Sequence, residues 1–416
     1  MTGAFPPSFA PLFAPLFAPL PHESRVILDR LPSLIDKVFP MPGRFRSGLP
    51  GDVAELSRLL TSARTERGAS YLGKPAMLSA YIRYFLPWNI YRLCRLLVSL
   101  PIELKALDAI NDLGAGPLTL AAALWISRPE LRDVPLEFRC IDRTAAVLEA
   151  GKKFFAALTA STGGTCPWKM ICIRGELKGN GKLSVQLRGK DAALTGAVNL
   201  YNELFWNFSP MDFDGLEYFT EKQTRLLASI TDKTGNVLIV EPGIPRSGEF
   251  ISLLRSCLLK EGFAPISPCT HSLPCPFPGG RKGKALPGSA AKAKWCHFAF
   301  DTEDAPEELH KLSAASGIPK ERAVLSFILA GHGSRETKRQ KNKTPVRVIS
   351  DSFPLNSGNH NDKNAWGRYC CSEHGPVLAS GSRKALEAWR PGALEELVLL
   401  PGIIDEKSGA LMGKID

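Results

Sequence analysis

Asp112-Leu113-Gly114-Ala115-Gly116-Pro117 is the stretch on which the fold turns. The apolar run 109–113 reads as a short strand, and 118–127 as a helix rich in Ala and Leu. A Gly-x-Gly between strand and helix lets backbone approach a ligand closely. A dinucleotide asks for a third glycine three residues on, where the helix packs on the strand, but position 119 holds Thr. The turn therefore suits S-adenosylmethionine (SAM), which has no pyrophosphate to cradle and presents an amino-acid tail and a sugar. Asp112 can face the ligand's ammonium group, directly or through water. Asp142 ends the next strand, 136–141, where an acidic residue can accept from both ribose hydroxyls. Without a ligand, the same residues would be an ordinary tight turn.

Outward from the turn, strands are expected at 169–173, 197–201 and 236–240, with helices at 145–159 and 248–261. Strands separated by helices of this length imply a parallel, doubly wound α/β sheet of Rossmann-like type. Asn199-Leu200-Tyr201-Asn202-Glu203-Leu204 ends the fourth strand and Glu241-Pro242-Gly243 the fifth. Ligands of open α/β sheets bind at the carboxyl ends of strands, so Asn202 and Glu203 join Asp112, Gly114, Gly116 and Asp142 as cofactor candidates. The fourth strand lacks the Asp/Asn-Pro-Pro-aromatic pattern that would hold an exocyclic amine. No cysteine nucleophile stands beside it, so no catalytic residue is named.

The chain divides into five expected parts. Residues 1–22 form a mobile tail with six prolines and neither Lys nor Arg, which excludes a secretory signal; a docking peptide using its Phe residues is the alternative. Residues 23–106 are helical, with apolar periodicity over 56–63 and 75–100. The arginines interleaved with aromatics at 81–93 are read as a solvated face beside a core-facing stripe. Residues 107–264 form the SAM-binding domain. Residues 265–382 form a cysteine-bearing, basic-loop region completing the sheet, with a strand at 323–330 and short strands over 346–382. Residues 383–416, with a helix at 384–389, form a C-terminal tail.

The 416 residues carry 52 basic and 41 acidic side chains, a formal charge of +11 that favours polyanionic partners. An apolar content of 44% is ordinary for a globular protein, and no 18-residue apolar run exists to span a membrane. Residues 281–294 hold five basic side chains and no acid, and 335–347 hold six and one. Such runs are ordinarily solvated loops, yet two of them in a basic chain suggest RNA phosphates.

Of ten cysteines, the first five lie in apolar surroundings and read as core fillers. Cys269, Cys275, Cys296, Cys370 and Cys371 sit in Pro-, Gly- and His-rich sequence instead. Three separated thiols and a fourth from a distant loop suit zinc or an iron–sulfur cluster. The Cys-x₅-Cys spacing argues against a zinc knuckle, which uses two to four intervening residues. His271 and His297 could serve a Cys₃His site, and free thiols remain the plain alternative.

These motifs together resemble the methyltransferase-like assembly factors of the small ribosomal subunit, found in bacteria and mitochondria. The resemblance rests on the Asp112–Pro117 turn, Asn202-Glu203-Leu204, Glu241-Pro242-Gly243, Cys269-x₅-Cys275-Pro276, Trp295-Cys296-His297-Phe298 and Cys371-x₃-Gly375. It spans roughly residues 70–380. It implies a class I SAM methyltransferase fold with an inserted [4Fe–4S] site, bound to small-subunit rRNA during assembly or translation. By that resemblance Cys269, Cys275 and Cys296 are the first three ligands, and Cys371 fits the fourth better than Cys370. It further implies a monomer in the bacterial cytoplasm or, in a eukaryote, the mitochondrial matrix. Two alternatives stand beside it. One is a non-catalytic RNA-binding assembly protein with a zinc site and a vestigial SAM fold. The other is a methyltransferase acting on a small molecule or a protein.

Overall fold

The computed structural model describes residues 15–63, 66, 71–206, 212–279, 294–332, 342–355 and 365–415. Five helices come first: α1 His22–Val38, α2 Gly43–Arg46, α3 Leu49–Leu60, α4 Pro75–Ala80 and α5 Leu86–Leu97. A π-helical turn, Tyr81–Phe85, joins the last two. In α1 the buried residues Ile27, Leu28, Leu31 and Ile35 fall on one stripe, the consequence of 3.6-residue periodicity.

The α/β core follows as β1 Asp108–Leu113, α6 Thr119–Ser127, β2 Leu136–Asp142, α7 Ala145–Ser161, β3 Lys169–Arg174, β4 Ala192–Val198, α8 Tyr201–Leu204, α9 Phe213–Ile230, β5 Thr231–Pro242, α10 Pro245–Lys260 and β6 Phe263–Ser267. Then come β7 Phe298–Asp301, α11 Glu307–Ala315 and β8 Arg322–His332. The strand order is β3-β2-β1-β4-β5-β8-β6, with β7 also paired to β8. β1 to β5 pair in parallel and β8 runs antiparallel between β5 and β6. This is the Rossmann-like sheet expected from the turn, with the order reversing beside β1. All nine residues of α6 are buried, which is why that helix is apolar all round. The fourth strand ends at Val198, three residues before the expected end, so Asn199 and the residues after it form the turn.

Residues 344–415 do not complete this sheet. They contain β9 Thr344–Val348, β10 Phe353–Pro354, β11 Trp366–Ser372, β12 Gly375–Gly381, α12 Arg383–Ala388, β13 Leu394–Ile404 and β14 Leu411–Lys414. β9 pairs with both β11 and β13, closing the ring β9-β11-β12-β14-β13. β12 and β14 are parallel, and the other ring pairs antiparallel. A five-stranded barrel of this order, with a helix between its third and fourth strands, has OB-type connectivity. Its core is built from Val346, Val348, Cys370, Val377, Ala379 and Leu397. The expected tail at 383–416 is therefore the helix and the last two strands of a barrel.

The expected tail at 1–22 also differs where it is described. Leu16, Phe17 and Leu20 are buried. Phe17 stacks on Phe300 at 4.7 Å, and Leu16 N–H donates to Gly392 O of the barrel at 3.2 Å. Proline spacing forbids a helix there, but it does not stop apolar side chains from finding a core. Residues 1–14 lie outside the described residues, as does most of both basic stretches.

Candidate cofactor pocket and thiol site

Gly114 and Gly116 have φ of +67° and +53°, the left-handed region that glycine enters without strain. A Cβ on Gly114 would stand 2.7 Å from Leu200 Cδ1. The turn opens on a cavity of about 320 Å³. Asp142 lines it, accepting from Gly116 N–H at 3.0 Å and Thr144 N–H at 2.8 Å. Each carboxylate oxygen keeps a second lone pair for a ligand hydroxyl. Burial pushes the Asp142 carboxyl up, against the pull of these donors and of Arg143.

Asp112 is not on the cavity wall. It is 1% exposed, with Oδ2 buried and without a hydrogen-bond partner. Burial, then the neighbouring Asp142, hold its carboxyl well above the usual range. The expected contact of Asp112 with the ligand's ammonium is thus not prepared directly. Strand alternation sends Asp112 to the face that also carries Ile110, opposite Leu113, which lines the cavity.

Asn202 and Glu203 line the same cavity. The Asn202 side-chain amide donates to Asn199 O at 2.8 Å and to Glu241 Oε2 at 2.9 Å. Glu241, fully buried at the end of β5, also accepts from the Tyr201 and Asn202 backbone N–H groups. Burial pushes its carboxyl up to about 7, opposed by those donors and by Arg92. Glu241 was legible only as the end of a strand; it is the post on which the Asn202 turn hangs.

The helical region supplies the other wall, with Tyr71, Tyr81, Phe85, Asn89 and Arg92. The arginines expected to be solvated turn inward. Arg92 donates to Asn199 Oδ1 at 2.8 Å and to Val324 O at 3.2 Å. Arg83 pairs with Asp36 at 3.3 Å, and just beyond that stretch Arg95, 8% exposed, pairs with Asp304 at 2.7 Å. Their partners are distant in sequence, so periodicity could not find them.

A second cavity is lined by Cys269, Cys275, Cys296 and Cys371 together. They come from the loop after β6, from the segment before β7 and from β11. Burial pushes the thiols of Cys275, Cys296 and Cys371 up, and the neighbouring cysteines push each further. Mutual repulsion of this kind marks sulfurs that share one space and would be relieved by a cation. The residues therefore fit a thiolate-held centre, although no group of three or more His, Cys, Asp or Glu among the described residues stands as a ready metal site. Cys370 faces the other way, into the barrel core. His271 lines the cavity with Nε2 3.8 Å from Cys371 Sγ, while His297 stacks on Trp295.

Hydrogen bonds tie the end of β5, beside the first cavity, to the segment that carries Cys296. Trp295, beside Cys296, donates its indole N–H to Gly243 O at 3.1 Å. Ser326 of β8, in register with Glu241, donates to Cys296 O at 2.8 Å.

Residues 213–358 match the family model described as mitochondrial small ribosomal subunit Rsm22. Over that segment the chain is Rsm22-like. The match bears out the small-ribosomal-subunit part of the resemblance read from the motifs, and it contains Cys269, Cys275 and Cys296 but neither the glycine turn nor Cys371. A methyltransferase from Geobacter sulfurreducens, solved with S-adenosyl-L-homocysteine, is 11% identical. That likeness covers 59% of this chain and 91% of that one, with a TM-score of 0.31. A methyltransferase from Pyrococcus furiosus is 10% identical, covering 39% and 68%, with a TM-score of 0.27. Comparison with curated proteins finds no match. The Rsm22-like segment begins at α9 and ends within the barrel, so it bridges both sheets.

Proposed function

We propose that this chain is a SAM-binding, methyltransferase-like factor of the small ribosomal subunit that carries a four-cysteine [4Fe–4S] cluster. The observation that carries the reading is one chain holding a glycine-turn cavity, a four-thiol cavity and an Rsm22-like segment. Gly114, Gly116, Asp142 and Glu203 would line the SAM site, and Cys269, Cys275, Cys296 and Cys371 would ligate the cluster. Asp112 would act through the strand and turn rather than by contact. A mitochondrial or cytoplasmic site fits the family description, and no helix among the described residues is long and apolar enough to cross a membrane.

Charge favours rRNA as the partner. Residues 342–416 hold nine basic and nine acidic side chains, so the whole surplus of +11 belongs to the rest of the chain. Phosphate contacts are then expected on the first sheet, its helices and the basic residues that precede 342, not on the barrel. The β11 face, which OB barrels commonly use for oligonucleotides, here carries Cys371 toward the thiol cavity.

Crosslinking the protein to RNA and sequencing the partner tests this. Small-subunit rRNA is the expected product, and another RNA or none would overturn the assignment. Titration calorimetry with SAM tests the cofactor. One observation favours binding without methyl transfer: the turn after β4, Asn199-Leu200-Tyr201-Asn202, lacks the Asp/Asn-Pro-Pro-aromatic pattern that would hold an exocyclic amine. Assaying tritiated SAM with small subunits decides it, since label in rRNA would exclude that reading.

A further inference from the structure

The thiol cavity has two more charged walls. Arg255 of α10 and Arg347 of β9 both line it, at 2% and 7% exposure. Arg255 donates from Nη2 to His271 O at 2.6 Å and to Leu273 O at 2.7 Å, leaving Nε and Nη1 buried without a partner. Arg347 donates from Nε to Pro268 O at 2.8 Å and from Nη1 to Gly392 O at 2.7 Å. Among the described residues neither is within ion-pair distance of a carboxylate; Glu249 pairs with Arg246, and Glu373 with His374. Burying an uncompensated cation is costly, and here two line one cavity. The acidic groups facing them are the thiols: Cys269, Cys371 and Cys296 act on Arg347, and Cys296 and Cys371 feel Arg255.

We propose that Arg255 and Arg347 are the built-in counter-cations of a dianionic four-thiolate centre, and that Arg255 offers its two unpartnered N–H groups to the sulfurs of that centre. This rests on the thiolate-centre reading above and goes beyond it. Two guanidiniums match the net charge of four thiolates around a divalent metal or a [4Fe–4S] core, whereas a Cys₃His zinc site would carry one negative charge fewer. Hydrogen bonds to cluster sulfurs raise the reduction potential, because they favour the more negative reduced state. Arg255 and Arg347 are positioning and tuning residues; the ligands remain the four cysteines. The same guanidiniums also clamp the loop that carries Cys269 and Cys275, by its Pro268, His271 and Leu273 carbonyls. A structural role and an electrostatic role must therefore be separated.

The test uses the full-length protein, reconstituted anaerobically with ferrous iron and sulfide, as wild type, Arg255→Lys and Arg255→Met. Iron and zinc per chain are measured, with the midpoint potential by spectroelectrochemistry and the rate of iron loss to a chelator. The expected result is a midpoint that falls from wild type to Lys to Met. Iron loss should become roughly ten-fold faster in Arg255→Met, the equivalent of one charge-assisted hydrogen bond. An unmoved midpoint in a variant with full iron overturns the proposal. Equal loss of iron from both variants reduces Arg255 to a loop clamp and also overturns it, whereas loss from Met restored by Lys supports it. A wild type that takes zinc and no iron defeats the iron–sulfur reading instead. The arginines are then judged by zinc release, with faster loss from Arg255→Met supporting the proposal and equal rates overturning it.

Discussion

Gly114 is the residue whose role the amino-acid sequence makes plainest. Its left-handed φ and its 2.7 Å clearance to Leu200 leave no room for a side chain, and the Gly-x-Gly spacing already said so. Gly114→Ala should weaken SAM binding roughly ten-fold or more, from a backbone strain of about 1–3 kcal/mol, while the chain stays folded. Calorimetry and circular dichroism check the two halves. Asp112 and Glu241 were less legible, because the direction of a carboxyl depends on layers that sequence does not place. Glu241 makes a pH prediction. Its folded value, about 7, lies above the ordinary 4.5, so the folded state binds the proton more tightly. That contribution is complete below about pH 4.5 and is lost as pH rises through 7. Wild type should therefore lose on the order of 2–3 kcal/mol more than Glu241→Gln between pH 5 and pH 8 in urea unfolding. Parallel pH profiles would mean that the three N–H donors keep Glu241 ionised throughout.

At the scale of the element, β11 separates two adjacent cysteines by the plainest rule of a strand. Cys370 lies among the barrel core residues and Cys371 on the opposite face at the thiol cavity. Cys371→Ser should abolish iron incorporation, read by absorbance near ~400 nm and iron analysis. Cys370→Ser should keep the iron and lose about 1–3 kcal/mol of stability, since a hydroxyl replaces a thiol in an apolar core. The reverse pattern would move the ligand role to Cys370. Sequence favoured Cys371 by resemblance, through the spacing to Gly375; the alternation of β11 is independent of that. What sequence could not supply was the barrel itself. Its defining contact is the parallel pairing of β12 with β14, separated by a helix and another strand. Non-local pairings leave no local signal.

At the scale of the molecule, the two sheets are joined by an apolar strap and by the thiols. Phe17 inserts among Phe298, Phe300 and Phe327 of the first sheet, while its neighbour Leu16 bonds to Gly392 of the barrel. Phe17→Ala should cost about 3–5 kcal/mol, as for other buried aromatics, and thermal unfolding measures it. The thiol cavity spans the same junction, three of its cysteines preceding β8 and the fourth lying on the barrel. A bound centre is then a cross-link between sheets as well as a cofactor, and its binding energy becomes docking energy. Chelating the metal from the native protein should leave β1 to β5 protected in amide exchange and deprotect β9, β11 and the loop carrying Cys269 and Cys275. Protease cleavage should become faster between the two sheets, while SAM binding at Gly114 persists in the first. If protection of the barrel is the same with and without metal, the strap and the Arg347 bond to Pro268 hold the junction by themselves. The centre would then serve chemistry or sensing, and not the assembly of the fold.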